Sequence, residues 1–349
     1  MMNTINRITR LSLVPVFLSL FLFAFAGCST DVPSCPRETG YFARGADVSW
    51  VTKMESEGIK FYDRNNNETE CMKLLHDECG VNSIRLRVWV NPDGGWNGTD
   101  DVVAKARRAH ALGMRIMIDF HYSDTWADPG NQKTPAEWAY MDITELCRAV
   151  SGHTSSLMLE LKKYGVEPFW VQVGNETRDG MLYPVGRASN GSNFADLVNA
   201  GYDAVKSVFP DALVIVHLDS GDNYGIYKYI FDILHRYNAR YDMVGMSLYP
   251  RKDNWRTVAD NAIANINTIY ATYGKPVMIC EVGMNYNEAV SCRDFIALLM
   301  DMSLHRTGGQ CMGIFYWEPE APAGYNGGYD KGCFINGKPT VALEPFKKY

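Results

Sequence analysis

Glu176 and Glu281 are the residues around which chemistry can be organised in this chain. Each closes a short β-rich run, the first ending Gln172-Val173-Gly174-Asn175-Glu176. Two carboxyl groups held about one bond can cleave a glycosidic link, with roughly 5 to 5.5 Å between them when configuration is retained. One must keep a proton while the other stays ionised, so their surroundings must differ. Arg87 is a candidate for keeping Glu281 ionised, and Tyr249 for donating a hydrogen bond to it. Asn175 is placed to hold the sugar 2-hydroxyl, a contact that strengthens in the transition state. His121 and His217 are candidates for binding substrate hydroxyls or tuning protons, with a satisfied structural histidine an equal alternative for each. Asp47 is a further substrate-binding candidate. Trp89, Trp126 and Trp317 offer flat apolar faces to a sugar ring, as does Trp50, whereas Trp170 sits mid-strand and reads as core.

These residues need a scaffold that brings distant segments to one place. Eight β-rich runs, 45–51, 83–90, 115–122, 168–176, 213–219, 243–249, 276–282 and 312–318, alternate with helix-period stretches at 68–79, 99–112, 135–164, 193–208, 224–240, 255–273 and 290–306. Strands alternating with helices imply βαβ units and a parallel sheet, and eight units imply a closed (β/α)8 barrel. A doubly wound sheet would want a glycine-rich phosphate turn after its first strand, and no GxGxxG follows Gly45. In a barrel the active site lies at the C-terminal strand ends. There the runs turn polar and aromatic: Asp47, Trp89, His121, Glu176, His217 with Asp219, Ser247 with Tyr249, Glu281, and Trp317 with Glu318. Side chains two apart share a strand face, so Arg85, Arg87 and Trp89 point inward and Ile84, Leu86 and Val88 face the helices. Glu176 and Glu281, on the fourth and seventh strands, converge over the centre.

Bulk properties narrow the partners. The 349-residue chain is 46% hydrophobic, enough for one barrel, and its formal charge of -6 argues against a nucleic-acid partner. A neutral substrate is the simplest expectation, handled by a monomer. Arg7 and Arg10 precede an apolar run, 11–26, and then Gly27-Cys28. That is an export signal of lipoprotein type, too short for a membrane span. We therefore expect a signal at 1–27, a lipidated Cys28 with a tether over 28–40, a catalytic domain over 41–349, and an exported protein anchored to a bacterial membrane on its periplasmic or outer side, with ordinary cleavage to a secreted enzyme as the alternative. Cys71 and Cys79, two helical turns apart, are too distant for a disulfide. Cys280, inside a strand, reads as a buried thiol, and no cysteine or histidine spacing suggests zinc.

The sequence resembles glycoside hydrolase family 53, the endo-β-1,4-galactanases. The likeness is carried by Ala46-Asp47-Val48-Ser49, by 82–90, by 118–129 (from Ile118 through His121 and Trp126 to Pro129), by Gln172 to Glu176, by 242–250 and by 313–319. It implies Glu176 as acid/base, Glu281 as nucleophile, retention, and cleavage inside β-1,4-galactan chains such as those of pectin, with no cofactor. Two departures stand out. Glu281-Val282-Gly283 replaces the family's usual Glu-Thr-Gly. The stretch 283–292 is short where some members carry a long calcium-binding loop, so no calcium is expected there. Asn326 and Asp330 in the 325–332 loop remain possible oxygen ligands. The rival readings are a barrel enzyme acting on mannan or xylan, and a non-catalytic surface glycan-binding protein.

Overall fold

A computed structural model describes residues 42–349. The expected signal, Cys28, Cys35 and the tether lie outside the described residues. Eight parallel strands close into a barrel in chain order, the first pairing with both the second and the last. They are β1 (Ala43–Asp47), β2 (Ser83–Val88), β3 (Arg115–Phe120), β4 (Trp170–Val173), β5 (Leu213–Leu218), β6 (Met243–Leu248), β7 (Val277–Val282) and β8 (Cys311–Trp317). The crossover helices are α1 (Val51–Ser56), α2 (Cys71–Cys79), α3 (Thr99–Ala111), α4 (Ile143–Lys163), α5 (Gly191–Val208), α6 (Tyr224–Arg236), α7 (Trp255–Tyr273) and α8 (Ala289–Arg306). No described helix is long and apolar enough to cross a membrane.

The barrel expected from strand–helix alternation is therefore present, with shifted boundaries. The helix expected from Pro135 starts at Ile143, because Asp142 and Glu145 form a reciprocal capping box there. β1 begins at Ala43 and ends at Asp47, and Val51 to Ser56 turn helical. β4 stops at Val173 because Gly174 takes φ 87° and Glu176 φ 46°.

Two layers fill the barrel. The lower is apolar, built from Ala43, Met117, Trp170, Ile215, Met278 and Phe315. Trp170 is fully buried, as its mid-strand place suggested. Gly45 is required here, since a Cβ would fall 2.0 Å from the Phe315 ring. The upper layer is polar, with Asp47, Arg85, Asp119, Gln172 and His217 buried. Buried charge at this density survives only when paired. Cys71, Cys79, Cys147, Cys280, Cys292 and Cys333 are free, and Cys280 is a buried thiol.

Just past four of the strands the chain enters the left-handed region at a non-glycine residue: Tyr122 at φ 49°, Glu176 at 46°, Ser220 at 50° and Glu318 at 47°. Such backbone costs of order 1 kcal/mol or more per residue and persists where the surroundings over-determine it. All four positions ring the barrel mouth.

Candidate active site

A cleft of about 490 Å³ opens at the C-terminal strand ends. Glu176 and Glu281 lie on its floor, and a carboxylate oxygen of each lies within 4.8 Å of the other and of a His217 ring nitrogen. That spacing suits a retaining pair and leaves no room for a water between the two carboxyls, as inversion would need.

The surroundings separate the two acids. Tyr249 donates to Glu281 Oε2 at 2.6 Å, and Arg85 Nη2 lies 2.9 Å from Glu281 Oε1. Glu176 faces one hydroxyl, Ser247 Oγ, 2.6 Å from its Oε1. Burial raises both carboxyls above the ordinary range. For Glu176 the neighbouring Glu281 charge adds to that, so it is pushed well up. For Glu281 the Arg85 guanidinium and the Tyr249 hydroxyl pull the other way. The pair's proton therefore resides on Glu176, the condition for a general acid beside an ionised nucleophile.

The arginine assignment changes. Arg87 does not reach Glu281: its Nη1 lies 3.0 Å from Glu318 Oε1, and its guanidinium stacks on Trp126 at 4.1 Å, with Trp89 and Trp50 at 5.0 and 5.4 Å. Arg85 takes the role, binding Asp47, Asp119 and Glu281 and donating to Gln172 and Asn175. The reason is height. Arg85 pairs in register with Asp47 and Met117, a layer below the mouth, and its long side chain climbs to the carboxylate.

Several expected substrate contacts prove to be supports. Asp47 is fully buried and taken up by Arg85 and Ser49. Arg87, 1% exposed, stands behind the tryptophans. His217 is fully buried, its Nδ1 3.0 Å from Asn175 Oδ1 and its Nε2 2.9 Å from Ser247 Oγ. Trp89 does not line the cleft; its Nε1 donates to His121 Nδ1 at 3.3 Å. Because Ala127 N also donates to Nδ1, the His121 proton sits on Nε2, facing Asp119 at 3.0 Å. Burial keeps His121 uncharged at neutral pH by lowering its pKa, while Arg85 and His121 hold the Asp119 carboxyl low against its own burial.

His121, Trp126, Asn175, Tyr249 and Trp317 do line the cleft. Trp126 and Trp317 pack 5.9 Å apart, edge to face. The walls also include Asp128, Tyr329, Asp330 and Lys331, none of which the sequence marked as a substrate contact. The last three sit on an irregular loop after β8 with no periodicity to flag them. The sequence signals there are aromatic residues within a glycine-rich stretch and the oxygen-bearing Asn326 and Asp330. That loop is pinned by Tyr329 Oη to Trp317 O at 2.6 Å, by Tyr316 Oη to Lys331 O at 2.8 Å, and by Tyr286 N to Asp330 O at 2.7 Å. Asp330 also accepts from Asn285 and pairs with Lys331, so direct hydrogen bonds join the β7 and β8 loops.

Comparison with known proteins agrees with this geometry. The arabinogalactan endo-β-1,4-galactanase A of Emericella nidulans is 32% identical over 303 residues, 79% of this chain and 84% of its own length. The endo-β-1,4-galactanase of Bacillus subtilis is 30% identical over 312 residues, 80% of this chain and 70% of its own. A solved structure from a study of two fungal β-1,4-galactanases superposes with a TM-score of 0.81 at 28% identity, covering 88% of this chain and 99% of that one. An endo-1,4-β-xylanase from Caldicellulosiruptor owensensis, at 15% identity and TM-score 0.61, shares the fold alone. The profile of glycosyl hydrolase family 53 matches residues 43–338, and the chain belongs to that family.

Proposed function

We propose that this protein is an exported endo-acting galactanase that cleaves β-1,4-galactosidic bonds with retention. The observation that carries the reading is the close pair of carboxyls, one beside Arg85 and Tyr249 and the other facing Ser247 and the Glu281 charge. Glu281 attacks the anomeric carbon, and Glu176 gives its proton to the departing glycosidic oxygen. The galactosyl ester on Glu281 is then hydrolysed by a water that Glu176 deprotonates. Two carboxyl groups suffice for this, and no cofactor enters. Asn175 uses one amide N–H on Ala127 O at 2.8 Å, which leaves the second for the sugar 2-hydroxyl. Trp126 and Trp317 supply stacking surfaces. Family membership favours galactan over mannan or xylan.

The signal-like segment and Cys28 favour lipid anchoring and export to a bacterial envelope, where the chain acts as a monomer on galactan. Incubation with galactan, mannan and xylan in parallel tests the activity: galacto-oligosaccharides should appear from the first only. Release from mannan or xylan instead would transfer the reading to the rival enzyme, and binding without any reducing sugar would make it a glycan-binding protein. Labelled fatty acid should enter the wild-type chain and not Cys28→Ser.

A further inference from the structure

Glu176 and Glu281 are joined underneath the cleft by an unbroken chain of buried polar side chains. From Glu281 Oε1 it runs to Arg85 Nη2 at 2.9 Å, from Arg85 Nη2 to Asn175 Oδ1 at 2.9 Å, and on to His217 Nδ1 at 3.0 Å. His217 Nε2 then meets Ser247 Oγ at 2.9 Å, which meets Glu176 Oε1 at 2.6 Å. Hydrogen-bond chemistry gives this chain a direction. Asn175 Nδ2 donates to Ala127 O, so the amide turns its oxygen towards Arg85 and His217. An oxygen that already accepts from Arg85 can only accept from His217 too, so Nδ1 carries the histidine proton. The ring is fully buried and stands beside the Arg85 guanidinium, both of which disfavour a second proton. Nε2 is therefore a lone-pair acceptor, and the one neighbour able to donate to it is the Ser247 hydroxyl. Ser247 has one proton. If that proton points to His217, the serine oxygen needs a donor on its other side, and that donor is a protonated Glu176.

We propose that Ser247 and neutral His217 form a directional relay that holds the proton on Glu176 between turnovers, making both of them positioning residues for the general acid. The proposal rests on Glu176 being the acid of the reading above. No proton passes to His217. When Glu176 gives its proton to the leaving oxygen, the Ser247 hydroxyl swings from Nε2 onto the new carboxylate, and Nε2 loses its donor. When Glu176 takes a proton from the incoming water, the hydroxyl swings back. The ionised state is short of one hydrogen bond that the protonated state has.

The charged and titratable groups facing this chain are Arg85 from β2, Asp119 and His121 from β3, Asp219 after β5, Tyr249 after β6, Glu281 from β7 and Tyr227 from α6. The Glu281 and Asp219 charges favour protonated Glu176, and Arg85 opposes it. None of these touches the Ser247–His217 contact, so the relay acts in addition to them.

Two measurements test the proposal. In the wild-type protein, ¹⁵N NMR of the histidine rings should show His217, assigned by its loss in His217→Phe, protonated on Nδ1 alone across pH 5 to 8. A doubly protonated ring, or a proton on Nε2, would overturn the relay, and this holds whatever the substrate proves to be. In His217→Phe, Ser247 is free to donate to ionised Glu176, so the alkaline limb of kcat/KM on galactan should move to lower pH by about one unit, a loss of about tenfold against wild type at pH well above both midpoints. In a Ser247→Ala background the same substitution should move nothing. An unchanged or upward limb in the single variant, as removal of a charged donor would give, sinks the idea. Wild-type failure on galactan would touch the substrate reading and leave the ring measurement standing.

Discussion

Arg85 Nη2 lies 2.9 Å from Glu281 Oε1, and the same guanidinium binds Asp47 Oδ2 at 2.7 Å and Asp119 Oδ2 at 2.9 Å. One cation thus serves three buried carboxylates. Removing it strands all three, and breaking a buried pair from one side costs roughly 3–5 kcal/mol. Arg85→Met should lose at least that in urea denaturation. Arg85→Lys should fold yet lose kcat by about tenfold or more, because an ammonium cannot reproduce the planar fork. Arg87→Lys, which touches Glu318, should leave kcat within about threefold of wild type, on the same reasoning that it never meets the nucleophile. Equal losses in kcat from the two lysine variants would return the nucleophile's charge partner to Arg87.

The carboxyl pair makes a division of labour measurable. Glu281→Ala should abolish turnover. Glu176→Ala should retain activity on aryl galactosides with good leaving groups, and azide should restore it with a β-galactosyl azide product. Azide rescue in Glu281→Ala giving an α-azide, and none in Glu176→Ala, would exchange the two roles.

Tyr249→Phe removes the hydroxyl at 2.6 Å from Glu281 Oε2. A hydrogen bond to a charged group contributes about 1.5–3 kcal/mol, so kcat should fall about 10- to 100-fold. Without the donor the ionised form of Glu281 is less favoured and its pKa rises. The nucleophile must be ionised, so the acid limb of the pH profile should shift to higher pH. A shift to lower pH would mean the hydroxyl does not act on Glu281.

A second acidic pair lies behind the tryptophan wall. Glu318 and Glu320 are both almost fully buried and adjacent. Burial and the nearby Asp47 charge push Glu318 up to about 8 despite Arg87, and burial with the Glu318 charge pushes Glu320 well above the ordinary carboxyl range. A carboxyl whose pKa is raised on folding contributes stability that is complete below its unfolded value, near 4.5, and is lost as pH rises through its folded value. Melting temperature should therefore fall from weakly acidic pH towards pH 8 and beyond. Glu320→Gln, which cannot ionise, should flatten that fall. A Tm that rises over the same interval in the wild type would contradict the pairing.

The barrel was legible in the sequence because each strand is a short apolar run whose polar end marks the mouth, and because helical periodicity separates the runs. Glu176, Glu281, His121, Trp126, Asn175, Tyr249 and Trp317 were legible for the same reason: they stand at strand ends or on the loop just beyond. The error over Arg85 and Arg87 has one cause. Strand parity tells which way a side chain points but not how far it climbs, and two inward arginines two residues apart differ only in that height. Asp47, expected as a substrate contact, and His217, for which a structural role was the equal alternative, both lie in the buried network, because a polar residue near a strand end looks alike whether it faces the cleft or a buried ion pair. Tyr329 and Lys331 were missed, and Asp330 was marked only as a possible ion ligand, because an irregular loop is placed by tertiary hydrogen bonds, such as that from Tyr286 N, which no local pattern announces.

The left-handed backbone at Glu176 also bears on how such an enzyme can change over time. Glycine at that position would relax the φ of 46° at once while deleting the acid. A catalytically dead Glu176→Gly chain could thus be sturdier than its parent, and similar relief is open at Ser220. A lineage released from selection for turnover would find stabilising substitutions concentrated at the barrel mouth, so the fold could outlive its chemistry as an inert scaffold.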